Sequence, residues 1–462
     1  MASLPTRPAG AFRRYRWKEL GLLIIPFMIF LLEATQLLLV KQLKTDPAAS
    51  FTYRNVLTAQ DLIPMLGLIA VLLGTNILLS FLFRRADQVL LPLVGLLSGI
   101  GVLMATRLGP SVGDLNLGSR QLLWVFLGLL VCIITLFSLR NMNWLSRYKY
   151  TWAVLGIILV GITLFHALRV NLDSPTHDQL NFGPFNLQPS ELLKIFIVIF
   201  FAAYLSENRD ILAGASIRRL RLPPLRQLGP ILTMLGTALL LFLVVRELGL
   251  ALLIYGLFLC MIYLGSGRLS YVTGGLLLFA LLGFIGYGLF GYVRQRFAVL
   301  SINVVTPGAF DETLYQNSAF QIVQGLIALS SGGIIGAGLG LGHPGFVPVV
   351  QSDLILTGLG EELGLAGLFA ILSIYLLLIY RGFRIAIEAR DTFSQLLAAG
   401  LTSIFAIQTV IIAAGNMNFF PLTGIPLPFL SYGGSSILAN YIIVGILLRI
   451  SHNTAMQREG LA

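Results

Sequence analysis

The 462-residue chain predicts an all-α polytopic membrane protein, and three observations carry that fold class. Hydrophobic side chains make up 56% of the sequence, and the mean hydropathy is +0.87. Only 11% of residues are Asp, Glu, Lys or Arg, less than half the roughly 25% of soluble domains. The apolar residues fall into about twelve runs, each near the roughly twenty residues a helix needs to cross a bilayer. A soluble enzyme of this length cannot keep so much apolar surface from water, and a disordered chain has the opposite composition.

The runs lie at 20–40, 62–82, 89–105, 122–139, 152–168, 190–205, 230–245, 248–264, 271–293, 354–380, 396–414 and 429–450. The first follows a basic segment but has no small-residue cleavage site, so it reads as a retained span. Only Arg246 and Glu247 separate the seventh from the eighth, which requires a tight reversal. Cys132 and Cys260 both sit inside apolar runs with no CxxC or zinc-type neighbours, so they read as packing residues.

Lys and Arg orient the stack. With the N-terminus in the cytoplasm, 21 of the 31 fall in cytoplasmic segments, 9 on the other side, and Lys194 within a span. The positive-inside rule therefore predicts that both termini are cytoplasmic. The net charge of +11 is explained by loops facing anionic lipid, so no nucleic-acid partner is expected. One extracytoplasmic loop, 294–353, is far longer than the rest. It carries an apolar patch (Phe320, Ile322, Val323, Leu326, Ile327, Leu329) and the run SSGGIIGAGLGLGHPG, and is expected to fold back on the membrane surface.

Ionisable side chains inside a span are costly and mark function by default. Glu33, Glu191, Lys194, Glu361 and Glu362 are the candidates, and all lie in the outer halves of their helices, as does His166. A proton- or ion-coupled transporter needs polar groups through the middle as well. The pattern instead predicts a polar cavity open outward. Glu191 and Lys194, three apart, share a helix face and can pair. Substrate binding and a purely structural ion pair are both open for them. FFPLTGIPLPFLSYGGSS (419–436) is irregular at membrane depth. It either offers N–H groups and the hydroxyls of Ser431 and Ser435 to phosphate, or seals the bundle as a re-entrant turn. Between Arg296 and Asp353 the only carboxylates are Asp311 and Glu312, the candidates for a general base. His343, flanked by glycine and proline, reads as a turn. The chain has no GxxxxGK[ST], GxGxxG, HExxH or GxSxG motif, so any substrate must arrive already activated, as a lipid-linked pyrophosphate sugar does.

QPSELLK (188–194), YQNSAFQIVQGLIALSSGG (315–333), SDLILTGLGEELGLAG (352–367) and PLTGIPLPFLSYGGSS (421–436) together resemble the SEDS family of FtsW, RodA and SpoVE. The run from GLGLGHPG to LLRIS leans toward RodA. The resemblance implies a ten-helix core at 87–452 with loop 294–353. Residues 1–86 then contribute the N-terminus and two additional spans, and 453–462 a cytoplasmic tail. It also implies a peptidoglycan glycosyltransferase in a bacterial cytoplasmic membrane, polymerising lipid II at the outer face for elongation or division. A lipid II flippase and a non-catalytic scaffold for a transpeptidase are the alternatives. Implied partners are lipid II, the nascent glycan strand, a class B penicillin-binding protein and other divisome or elongasome membrane proteins. A divalent cation such as magnesium or manganese is left open.

The family's essential aspartate precedes a Tyr-Gln pair in the large loop. Here Phe320-Gln321 takes the place of that pair, and Asp311 precedes it by a longer interval than in the family. Asp311 is the implied catalytic base, with Glu312, which stands where the family has proline, as the fallback. Gln321 and Gln324 follow as implied substrate contacts. Glu191 and Lys194 match the family's Glu and Lys. Asp353 matches the Asp of a His-Thr-Asp triplet that is Gln351-Ser352-Asp353 here. Arg246-Glu247-Leu248-Gly249 stands for Pro-Asp-Leu-Gly, and Asn416 is similar to one branch. The implied reaction is inverting: Asp311 takes the proton of the acceptor 4-hydroxyl, and undecaprenyl pyrophosphate leaves. Lys194, Arg246, Arg294 and Arg296 are the cations available to that leaving group, with Glu191, Asp353, Glu361 and Glu362 to orient them or to bind substrate.

Overall fold

The computed structural model describes residues 15–45, 59–169, 180–182, 185–208, a few positions between 229 and 236, 248–301 and 319–460. Among these residues, eleven helices are long and apolar enough to cross a membrane. The expected span 230–245 lies mostly outside the described residues. The helices are α1 (Trp17–Thr45), α2 (Ala59–Leu82), α3 (Leu90–Val112), α4 (Leu117–Ser138), the short α5 (Asn143–Arg147), α6 (Lys149–Arg169) and α7 (Pro189–Glu207). They continue with α8 (Leu248–Ser266), α9 (Leu269–Leu289), α10 (Gly291–Ala298), α11 (Phe320–Gly332), α12 (Ile355–Glu388), α13 (Thr392–Asn416) and α14 (Gly434–Arg458). One small departure from helix is an antiparallel pair, β1 (Leu180–Phe182) with β2 (Phe185–Leu187), in which Leu180 faces Leu187.

The centre of the bundle is built from α3, α7, α13 and α14, whose side chains are largely buried. α4 packs along α14, α12 along α13, and α6 along α7. The outer helices leave large apolar residues uncovered, among them Phe81, Phe284, Phe369 and Leu376. Such a belt is stable only with lipid as solvent, and the chain is a multi-pass membrane protein.

The additional helices α1 and α2 lie against α3 and α4. They are joined by a buried polar cluster that the span count did not reveal, because α1 begins at Trp17 and so includes Glu19. Glu19 pairs with Arg16 and accepts from Asn76 Nδ2 at 2.7 Å, while Arg16 also donates to the carbonyls of Phe83 (3.0 Å) and Asp87. Other basic residues gather at the same end: Arg381 pairs with Asp87, Arg85 with Glu459, and Arg458 with Glu388.

Candidate functional site

Helix termini define the opposite end of the bundle, where α3, α6 and α13 finish and α4, α7, α12 and α14 begin. Proline at the first position of α7 needs no N–H there, and so starts the helix that carries Glu191 and Lys194. The Lys194 ammonium lies 2.7 Å from Glu191 Oε2 and 3.2 Å from Gln408 Oε1. Gln408 Nε2 in turn donates to the Pro426 carbonyl at 2.7 Å. Lys194 is completely buried, so its charge is satisfied within the fold and holds the 421–433 segment against α7 and α13.

That segment is irregular but closed. Ser431 accepts the N–H of Leu427 at 2.8 Å and donates to the Ser352 carbonyl. Its own N–H goes to Leu427 O at 3.1 Å, and the Tyr432 N–H to Gln351 O at 2.8 Å. Gln121 Nε2 donates to the Ser431 carbonyl at 3.3 Å. These donors are spent within the protein. Ser435 Oγ accepts the N–H of Gln188 at 3.0 Å, fastening α14 to the start of α7.

Asp353 stands half-buried just before α12. Its carbonyl accepts Asn416 Nδ2 at 2.9 Å. Burial pushes its carboxyl above the ordinary carboxylate range, and the Ser352 hydroxyl and the Arg296 guanidinium pull it part of the way back. Arg296 is itself held by the Leu422 carbonyl. Arg294, two residues earlier, is exposed and turns back over the Tyr287 ring, so it stands apart from this group.

Glu361 and Glu362 serve a different place. Glu362 Oε1 accepts Arg107 Nε at 2.9 Å, and Arg107 Nη2 donates to the carbonyls of Gly342 (2.9 Å) and Gly340 (3.3 Å). Glu361 Oε1 accepts the N–H of His343 at 2.7 Å, fixing the turn expected there. The glycine-rich run is inlaid against a break in α12 at Gly364, whose φ of 68° lies in the left-handed region. The Leu365 and Ala366 N–H groups reach Gly333 and Ile334 carbonyls at 3.0 Å, while Ala337 and Gly338 N–H groups reach Glu361 and Glu362 carbonyls at 2.9 Å. A Cβ on Gly364 would lie 2.3 Å from Gly336 N, which is why glycine faces glycine.

α11 carries Gln321 and Gln324, both half-buried, on one face, and packs along α12. The expected amphipathic patch is this helix: Ile322 and Val323 cluster with Val299 and Ala319, while Ile327 is 47% exposed. Asp311, Glu312, Arg246 and Glu247 lie outside the described residues. Among the described residues no three His, Cys, Asp or Glu side chains come together as a metal site. Gln408, Gln121 and Arg107 were missed by a search for ionisable groups within spans. Two are amides, and Arg107 counted as a loop cation. Their signal was a strongly polar side chain in or beside an otherwise apolar run.

The arrangement is that of a polytopic membrane protein with a polar, multiply tied site at one end of its bundle. The chain belongs to the FtsW/RodA/SpoVE family: the family model, described as cell cycle protein, matches residues 85–456. It is 38% identical over 379 residues to the peptidoglycan glycosyltransferase RodA of Mycobacterium leprae, covering 79% of this chain and 78% of that one. Among solved structures it resembles a chain from a study of how a peptidoglycan synthase complex coordinates polymerization and crosslinking, with a TM-score of 0.62. That likeness, at 22% identity, covers 80% of this chain and 98% of the other. It also resembles the rod shape determining protein RodA of Thermus thermophilus, with a TM-score of 0.54, 22% identity and coverage of 80% and 97%.

Proposed function

We infer that this chain is a peptidoglycan glycosyltransferase of the RodA kind, polymerising lipid II at the outer face of a bacterial cytoplasmic membrane. One observation carries the reading. Hydrogen bonds, direct or through Gln408, tie three of the four family motifs into one end of the bundle: Gln188 to Ser435, Lys194 through Gln408 to Pro426, and Ser431 to Ser352. The fourth, on α11, packs along α12 beside them. The opposite end collects Arg16, Arg85, Arg381 and Arg458, which supports placing it, with both termini, in the cytoplasm.

Within this reading the roles divide. Glu191, Lys194, Gln408 and Ser431 are positioning residues behind the site. Glu361, Glu362 and Arg107 hold the glycine-rich inlay. Asp353 and Arg296, both half-buried, face the anionic headgroup together with Gln321 and Gln324. Asp311 is the general base on the acceptor hydroxyl, with Glu312 as its fallback, a contribution of about 10²–10⁴-fold. Arg296 meets the leaving pyrophosphate. A class B penicillin-binding protein is the proposed partner that cross-links the new strands, alongside other elongasome or divisome membrane proteins.

Purified protein incubated with labelled lipid II tests this. Wild type is expected to give glycan polymer, and Asp311→Asn to lose it while keeping its melting temperature and partner binding. Lipid II crossing liposome membranes with no polymer formed overturns the reading in favour of a flippase. Full complementation in cells by Asp311→Asn,Glu312→Gln overturns it in favour of a scaffold.

A further inference from the structure

Two cavities open at the basic end. The smaller, about 500 Å³, is lined by arginines that the fold already pairs: Arg85 with Glu459, Arg381 with Asp87, and Arg458 with Glu388. The larger, about 720 Å³, lies where α2 and α4 end, α13 begins and α14 passes. This is within the range of small-molecule sites, roughly 300–1,000 Å³.

The cations of the larger cavity are not neutralised in the same way. Arg449 is buried and donates to the carbonyls of Leu139 (3.0 Å) and Arg140 (3.1 Å), with its guanidinium over the Phe83 ring. Among the described residues no carboxylate pairs with it. Arg140 brings a second guanidinium to the same wall. His452 meets Phe83 edge-on, and its Nδ1 is buried with no partner among the described residues. The one carboxylate in the lining, Asp391, is committed to the α13 N-terminus, where it accepts the Ser394 N–H at 2.8 Å.

The remaining wall is apolar and reaches the outside of the bundle. Leu82 of α2 and Phe137 of α4 line the cavity and are 48% and 46% exposed. Uncompensated arginines beside an apolar face that is open to the bilayer have the chemistry of a phosphate ester carrying acyl chains. We propose that this cavity binds an anionic phospholipid. Arg140 and Arg449 take its phosphate, and the acyl chains run along Leu82 and Phe137. α2 precedes the residues matched by the family model, so the additional helices complete a lipid site that the core alone leaves open on that side. The cavity lies at the end of the bundle opposite the four family motifs, so lipid can occupy it whether or not the chain polymerises lipid II.

The test is competition binding to the full-length protein in neutral detergent, read by native mass spectrometry. Equimolar dioleoyl phosphatidylglycerol and dioleoyl phosphatidylcholine are offered. Wild type is expected to retain phosphatidylglycerol with about tenfold preference. Arg140→Gln, which removes no hydrogen bond holding α14, is expected to cut that preference severalfold, and Arg140→Gln,Arg449→Gln to abolish it. Arg147→Gln, an exposed cation outside the cavity, is expected to leave it unchanged. An excess of inorganic phosphate is expected not to displace the lipid. Equal binding of the two lipids by wild type overturns the proposal, as does a preference that survives Arg140→Gln or falls equally with Arg147→Gln. Displacement by inorganic phosphate overturns it in favour of a soluble anion.

Discussion

The ammonium of Lys194 lies 2.7 Å from the carboxylate of Glu191, and both side chains are buried. Neither charge reaches solvent, and the third contact of the pair, Gln408, passes the constraint to the Pro426 carbonyl. The pair is therefore linked to the irregular 421–433 segment, and the proposed positioning role follows from that link.

Removing one partner of a buried pair leaves an uncompensated charge, at a cost of about 3–5 kcal/mol. Glu191→Gln and Lys194→Met are each expected to lower the melting temperature of the purified protein sharply and to reduce its yield. The double variant Glu191→Leu,Lys194→Met is expected to recover much of that loss, because no charge is then stranded. A single variant that melts like wild type yet polymerises no lipid II would show that the pair touches substrate.

Gly364 is expected to tolerate no side chain. With ψ at −174° its backbone lies in a region essentially reserved for glycine, costing an L-residue about 1–3 kcal/mol, and the added Cβ would also meet Gly336 N at 2.3 Å. Gly364→Ala is therefore expected to unfold the inlay and lose folded protein in size-exclusion chromatography. Gly283→Ala is the comparison, since nothing lies within 4 Å of its added Cβ, and it is expected to behave as wild type.

Asp353 supplies a pH dependence with a definite sign. Burial raises its carboxyl above the ordinary value of about 3.9, so the native state holds the proton more tightly than the unfolded chain. Its stabilising contribution is full below the unfolded value and is lost as pH rises through the raised folded one. Melting temperatures measured from acid to neutral pH should thus fall more for wild type than for Asp353→Asn. Superimposed profiles would mean that Asp353 titrates normally.

Much of this was legible in the sequence because lipid imposes one strong rule: backbone polar groups must be satisfied within the span. Hydropathy therefore located most spans, but it missed their true ends. The run 354–380 continues as helix to Glu388, because Arg384 and Glu388 pair on its surface at 2.8 Å beyond the apolar stretch. The run 271–293 divides instead, with Phe290 extended between α9 and α10. The break at Gly364 was invisible, since LGLAG (363–367) reads as uninterrupted apolar helix and only the facing glycines of 332–336 give it a reason. Charge scarcity flagged Glu191, Lys194, Glu361 and Glu362. It did not separate the two neighbourhoods they serve, because the partners Gln408 and Arg107 come from distant helices.

Arg296 is the cation whose loss should fall on turnover. It is held by the Leu422 carbonyl and sits near enough to Asp353 to act on its charge, whereas Lys194 is fully buried. A leaving pyrophosphate gains negative charge in the transition state, and removing one group aimed at such charge costs about 10²–10³ in rate. Arg296→Gln is expected to lose polymerisation on that scale with little change in lipid II binding, and Arg296→Lys to recover part of it. Binding is read by equilibrium capture of labelled lipid II, and turnover by glycan length on gels. If binding weakens as much as turnover, Arg296 serves ground-state recognition instead, and the transition-state role passes to another cation. Arg294 is the candidate then, because it is exposed only two residues away in the same helix, α10.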